Sequence, residues 1–308
     1  MSIEAMQTAM SLLSKIEIWN AYALHNKQRV HGREYTSCPI CFSNPNDLKD
    51  YIGELKTFLL EKVIPAATSV EEYSGFNEQT AINKIRIDNE LIADNYKAIQ
   101  ASLIRNDDEA NIMNFNSNAF VITGATPEDC PTPLSVTFIA IKNPIKSFKK
   151  TVFRFTENCF KPVTDKYLDL PLRFDLIIIN ETIYMMSLIG ETLFDLERTH
   201  KILCNRCVKK IESLDIVCDA DAFKAVAASS HNPRRFLTFS QTRLEHVNDL
   251  NNRRIIGRMF NIALNAHGIF DTTDPKASER LIKFLCEKAM EDPVDHSAKE
   301  VPVARAWS

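Results

Sequence analysis

Arg173-Phe174-Asp175-Leu176-Ile177-Ile178-Ile179-Asn180-Glu181-Thr182-Ile183-Tyr184-Met185-Met186-Ser187-Leu188 is the stretch that decides the fold. Two apolar runs rich in isoleucine meet at Asn180-Glu181, residues suited to a turn, so the segment predicts a buried hairpin of central strands. A long helical pattern follows it directly. Upstream, the period is two in Phe120 to Thr123, Leu134 to Ile141 and Thr151 to Thr156, with Pro131, Pro133 and Pro144 confined to the connections. Downstream of Leu188 the pattern is helical almost throughout.

This segregation implies an α+β fold, not alternating βαβ units. The expected layout is a strand-rich mixed sheet with helices in the first two thirds and an all-helical C-terminal third. Residues 1–188 form the mixed region with the central sheet, and residues 189–308 a helical region packed on it as one compact unit. Within the first part, residues 1–45 read as mixed and strand-rich. Leu48, Tyr51, Ile52, Leu55, Phe58, Leu59 and Val63 predict a helix over 46–63 that Pro65 stops. A second helix is expected from an N-cap at about Asp88, with Leu91, Ile92, Tyr96, Ile99 and Leu103 as its buried stripe. In the last third, Asn232-Pro233 and Asp274-Pro275 each read as an N-cap followed by proline at the first helical position. Gly268 reads as the end of the helix carrying Ile255, Ile256, Met259, Phe260 and Leu264.

Composition narrows the class. The 308 residues are 45% hydrophobic and 25% charged, enough to bury a large core, and 7 glycines against 18 phenylalanines argue against a glycine-rich nucleotide cradle. No apolar run approaches the ~20 residues of a membrane span, and the amino terminus lacks a signal-peptide pattern, so a cytoplasmic protein with reduced cysteines is expected.

Charge is unevenly placed. The chain carries −3 overall, yet 142–166 holds seven basic and two acidic residues, and 231–258 six and two. Those blocks are +5 and +4 on a remainder of −12. A polyanion would meet two attractive blocks on a repelling body. In a strand through 150–155, Lys150, Val152 and Arg154 share one face while Thr151, Phe153 and Phe155 share the other. Lys142, Lys146 and Lys149 extend the basic surface. Arg254 and Arg258 are one helical turn apart, and Arg234, Arg235, Arg243 and Arg253 are candidates to join them; guanidinium forks suit phosphates. The competing reading is a solvated surface paired with some of the 40 acids.

Two further constellations carry less. Cys38-Pro-Ile-Cys41 and Cys204-Asn-Arg-Cys207 have zinc-knuckle spacing, but more than 160 residues separate the pairs, and cysteines three apart on a helix commonly pack as small hydrophobes. Asp175 and Glu181 suggest a metal-dependent nuclease, but the lysine such a core needs two positions on is Ile183, which leaves two solvated acids as the better reading. No phosphate loop, nucleophile elbow or zinc-protease helix occurs, so no cofactor and no complete catalytic set is implied.

From about Glu72 onward the chain resembles the KwaB-like family, the cytosolic B component of the bacterial Kiwa anti-phage defence system. The resemblance is carried by Ile141-Lys-Asn-Pro-Ile-Lys-Ser-Phe-Lys-Lys150, the Phe174-Asp175 to Tyr184 hairpin, and Leu193-Phe194 leading into helical sequence. It implies an oligomeric effector that binds double-stranded phage DNA without strong sequence preference and obstructs its replication or transcription. It also implies a small multi-span membrane partner (KwaA-like) that recruits the effector to the inner face of the membrane. A phage-triggered nuclease and a scaffold that binds no DNA are the alternatives.

Overall fold

A computed structural model describes residues 3–30, 32–75, 81–104, 112, 115–146, 152–156, 159–163, 167–229, 232–286, 289–291 and 298–300. The chain divides into two compact units, Met1–Glu72 with Gln79–Leu196, and Tyr73–Glu78 with Glu197–Ser308.

In chain order the first unit comprises α1 (Ile3–Ser11), β1 (Ile18–Arg29), β2 (Gly32–Pro39), α2 (Pro45–Phe58), β3 (Ser69–Glu72), β4 (Ala81–Arg86), α3 (Ala93–Ile104), β5 (Ala119–Ala125) and β6 (Ser135–Ala140). Four short strands follow, β7 (Ile145–Lys146), β8 (Val152–Thr156), β9 (Cys159–Val163) and β10 (Tyr167–Leu168). Then come β11 (Leu176–Ile179), β12 (Thr182–Met185) and α4 (Gly190–Leu193). Eight strands make one mixed sheet in the order β2-β1-β5-β6-β11-β12-β4-β3, antiparallel except for β3 beside β4.

The isoleucine hairpin lies near the middle of that sheet. Ile179 pairs with Thr182 across the Asn180-Glu181 turn, where Asn180 takes φ 52°, a left-handed conformation asparagine tolerates. Asn180 is also tied to Ser135: its Oδ1 accepts from Ser135 N, and its N donates to Ser135 O, both at 2.9 Å. All of Leu176–Ile179 is buried, as an apolar run covered on both faces requires. On one face Phe138, Ile177, Ile179 and Tyr184 share a core with Met6, Met10 and Leu13 near the amino terminus and with Leu48, Ile52 and Leu55 of α2. Each such side chain contributes about 1.5–3 kcal/mol by leaving water. On the flank, α3 packs against β2.

Local details depart from the pattern reading at identifiable points. Residues 1–45 begin with a helix whose Met6 and Met10 are buried, with Leu13 of the 3-10 turn that follows buried beside them. Asp88 does not cap α3, because Arg86 takes its carboxylate at 3.0 Å; Asn89 turns the chain instead, its Oδ1 accepting from Leu91 N at 3.0 Å. For α2, Asn44 accepts from Asn46 N at 3.1 Å and Pro45 occupies the first turn.

The second unit holds most of α5 (Leu196–Glu212), which opens on the first unit's last residue, with α6 (Ala220–Ala228), α7 (Asn232–Arg235), α8 (Gln241–His246), α9 (Leu250–Met259) and α10 (Pro275–Leu285). A short antiparallel pair, β13 (Ala289–Glu291) and β14 (Ala298–Glu300), adds strands to a third expected to be all helix. Val208, Ile211, Phe223, Phe236, Leu244, Phe270 and Leu281 form its core. Asp274 and Pro275 start α10 as expected, with Lys276 N donating to Asp274 Oδ1 at 3.0 Å. Asn232 instead lies buried and donates Nδ2 to Val226 O at 2.8 Å, so it braces α6 and caps nothing. Gly268 does not end α9: the helix closes at Met259, and Asn261 supplies the left-handed residue at φ 52°.

Candidate nucleic-acid interface

The described strands of the first basic block pair in two short ribbons apart from the main sheet, called the arm below. β6 and β11 are neighbours in the main sheet, and the chain between them leaves the sheet and returns. At its base Asn143 Oδ1 accepts from Ile145 N at 2.9 Å and from Ser117 Oγ at 2.7 Å, while Asp169 N donates to Pro144 O at 2.8 Å. β7 pairs with β10, setting Lys146 opposite Tyr167, and β8 pairs with β9, setting Arg154 opposite Lys161.

Asp175 anchors the arm's return. Its Oδ2 accepts from Ile141 N at 2.7 Å and its Oδ1 from Ser187 Oγ at 2.6 Å, so this half-buried carboxylate is a structural tie and not a solvated strand end. Glu181 is exposed in the turn and paired with Arg86 at 3.0 Å. The whole of β11 separates the two acids, so they sit at opposite ends of the strand, and Ile183 is fully buried. That geometry leaves no shared metal cradle between them.

Of the candidate contacts in the arm, Lys142 is exposed and paired with Asp169 at 2.6 Å, a surface pair of small energetic weight. Lys146 is half-buried in β7. Arg154 is a paired position of β8. Lys149 and Lys150 lie outside the described residues. Lys161 was not among the residues singled out from sequence; Pro162 masks the alternation of Cys159–Val163, although a proline is admissible in a ribbon with free edges.

The second block separates into two roles. Arg235 Nη1 reaches Glu279 Oε1 at 3.3 Å, with Lys283 on the same oxygen at 3.4 Å. Arg243 Nη1 donates to Phe284 O at 2.6 Å, and its guanidinium lies 5.1 Å from the Phe284 ring centroid. Arg253 Nη1 donates to Gly268 O at 2.9 Å. These three fasten helices and turns of the second unit. Half-buried Arg234 lies near His200 and Glu197: burial first and then Arg234 lower the His200 pKa, while Glu197 is lowered chiefly by its hydrogen bond to Lys201, with a smaller part from Arg234. Arg254 and Arg258, both exposed on α9, line an open groove of about 580 Å³ with Gly257, Asn261, Ile262 and Leu264. They are the two arginines of this block best presented to a phosphate.

The cysteine pairs fall in different units, Cys38 and Cys41 in the first, Cys204 and Cys207 in the second. Burial, and then the neighbouring Cys207, push the Cys204 thiol up to about 12, and it donates to Ala227 O at 3.4 Å. Burial raises the Cys207 thiol as well, and both cysteines pack in the core of the second unit. Among the described residues no group of three or more His, Cys, Asp or Glu is placed to hold a metal ion. Nor, among them, is any helix long and apolar enough to cross a membrane.

The fold is that of an α+β protein with a large mixed sheet in one unit and helices making up most of the other. A family model described as Kiwa protein KwaB-like matches residues 136–292, from within β6 through the arm, the central hairpin and the helices. The match covers half the chain, and the chain belongs to the KwaB-like family of Kiwa anti-phage defence. It begins well after Glu72, where the resemblance was expected to start. No curated protein and no solved structure matches the chain.

Proposed function

We propose that this KwaB-like protein is a DNA-binding effector that holds duplex phage DNA without strong sequence preference and blocks its replication or transcription. The observation that carries the reading is the arm: paired strands with Arg154 opposite Lys161, inside a segment of net charge +5, within the family-matched residues. Arg254 and Arg258 supply a second phosphate-directed pair. Contacts of this kind neutralise phosphates and read no base edges, which accounts for weak sequence preference. The net charge of −3 opposes binding by a lone chain, and homo-oligomerisation offsets this by aligning several arms along one duplex. The Kiwa role adds a small multi-span membrane protein (KwaA-like) as partner, bringing the protein to the inner face of the membrane. In this reading residues 1–188 present the arm and 189–308 the α9 arginines.

The test is charge reversal of Lys146, Lys149 and Lys150 together. Binding to labelled duplex DNA is expected to weaken at least tenfold while the melting temperature stays within a degree or two. Unchanged affinity overturns the assignment of the arm. DNA degradation in magnesium or manganese by the unmodified protein would favour the nuclease alternative instead.

A further inference from the structure

One strand of the first unit is paired on only one side over part of its length. On one side β5 accompanies β1 along residues 18–24, but on the other β2 accompanies it only along residues 22–29, the register ending with Tyr22 opposite Pro39. Main-chain groups of successive residues point to alternate edges of a strand. Asn118 N donates to Leu24 O on the β5 side, and Ile40 N donates to Ala21 O at 2.8 Å on the β2 side, so even-numbered residues of β1 serve β5 and odd-numbered ones the other edge. The bond to Ala21 O is the last on that edge. Among the described residues nothing there accepts from Ala21 N or Trp19 N, and nothing donates to Trp19 O.

Space lies along the same edge. A groove of about 380 Å³ is lined by residues 17–22, by residues 39–42 where the chain leaves β2, and by Leu48 and Lys49 of α2. Consecutive strand residues all line a groove only when it runs along the hydrogen-bonding edge, because their side chains alternate between the two faces. Trp19, Ile40 and Phe42 are half-buried against the first unit's core, to which Leu48 belongs, so on that face the groove is apolar. On the other face Ile18 is 70% exposed and Asn20 is exposed beside it.

We propose that this notch is a docking site for an extended peptide segment of another protein, added as a short antiparallel strand beside residues 18–21 of β1. One peptide residue exchanges both main-chain bonds with Trp19. Its side chain then falls on the Trp19 face, towards Phe42 and Leu48, where an apolar group fits, and its two neighbours fall on the Asn20 face, where polar ones are at home. Strand addition draws affinity from the main chain and specificity from alternate side chains, and an unpaired edge is the template for it. A second copy of this chain suits the notch less well. The notch is recessed between β1 and the chain leaving β2, so two notches cannot enter one another, and pairing with β3 at the sheet's opposite edge would be head-to-tail and open to polymerisation. None of the lining residues belongs to either basic block, so the proposal stands apart from DNA binding.

The experiment titrates the full-length protein carrying Trp307→Phe, in which Trp19 is the remaining tryptophan of two, with acetylated and amidated hexapeptides that alternate threonine with valine, isoleucine, leucine or phenylalanine. The expected result is a saturable change in Trp19 emission with at least one peptide, and binding at least tenfold weaker for its twin N-methylated at alternate residues, which loses main-chain donors. Cys41→Tyr, which puts a larger side chain at an exposed position of the groove, is expected to weaken the peptide at least tenfold and leave the melting temperature within a degree or two. No saturable response to any peptide overturns the proposal. Equal binding of the N-methylated twin overturns it by showing that the groove takes side chains without a strand, and parent affinity in Cys41→Tyr overturns it by placing the peptide elsewhere. Peptides that fail while Trp19 emission shifts with protein concentration overturn it in favour of a second copy.

Discussion

Replacing Asp175 separates a structural carboxylate from a catalytic one. Its two oxygens accept from Ile141 N at 2.7 Å and Ser187 Oγ at 2.6 Å, joining the end of β6 to the segment after β12. Hydrogen bonds to an ionised acceptor contribute about 1.5–3 kcal/mol each when buried, and half-burial puts the pair near the low end, about 3 kcal/mol together. Asp175→Ala leaves both donors without this partner and should destabilise the first unit by that amount. Asp175→Asn keeps an acceptor for Ile141, and the Ser187 hydroxyl can turn to accept from the amide, so about 1 kcal/mol is expected. Urea unfolding is the assay, in a Trp307→Phe background so that Trp19 of β1 is the remaining tryptophan of two. With a slope of about 2–3 kcal/mol per molar, the alanine midpoint falls by roughly 1 M and the asparagine midpoint by roughly a third of that. An alanine variant as stable as the parent would refute the tie. If Asp175→Asn abolished a metal-dependent DNA cleavage without moving the midpoint, the carboxylate would be catalytic instead.

Two further outcomes follow from named contacts. Arg243→Ala should cost about 1.5–3 kcal/mol of second-unit stability, through the bond to Phe284 O and the stacking on its ring, whereas Arg258→Ala should change stability by less than about 0.5 kcal/mol and weaken DNA binding; the reverse order in denaturation would contradict the division of roles. His200 is buried, stacked on Tyr73 and hydrogen-bonded to its hydroxyl at 3.2 Å, and burial, with nearby Arg234, pushes its pKa down to about 4. A depressed histidine pKa means the neutral ring is the stable one: its contribution is whole above about pH 6.5 and is lost as pH falls from there towards 4, with about 2 kcal/mol gone by about pH 5. Urea midpoints at neutral and acidic pH, for the parent and His200→Phe, check this; an equal acid loss in both would sink it.

The sheet and its central hairpin were legible because an apolar run closed by Asn180-Glu181 has few other uses, and the Asp274-Pro275 helix start was legible for the same reason. Boundaries set by competition were not. Asp88 looks like a cap until Arg86 takes its carboxylate, and Gly268 looks like a terminator until Asn261 supplies the left-handed turn first. Arginine roles were illegible for a related reason: whether Arg243 meets a phosphate or Phe284 O depends on a residue 41 positions away in sequence, which no local pattern encodes. The basic character of the arm was visible as composition. Its cross-strand order, Arg154 on Lys161 and Phe155 on Phe160, required the pairing.

Binding to duplex DNA as a function of salt, measured by fluorescence anisotropy on the full-length protein, tests the central claim most directly. The account predicts tight binding at low salt and a log–log slope of about −0.9 for each phosphate contacted, little changed between unrelated sequences. Absence of binding at low salt, or an affinity indifferent to salt, would contradict it.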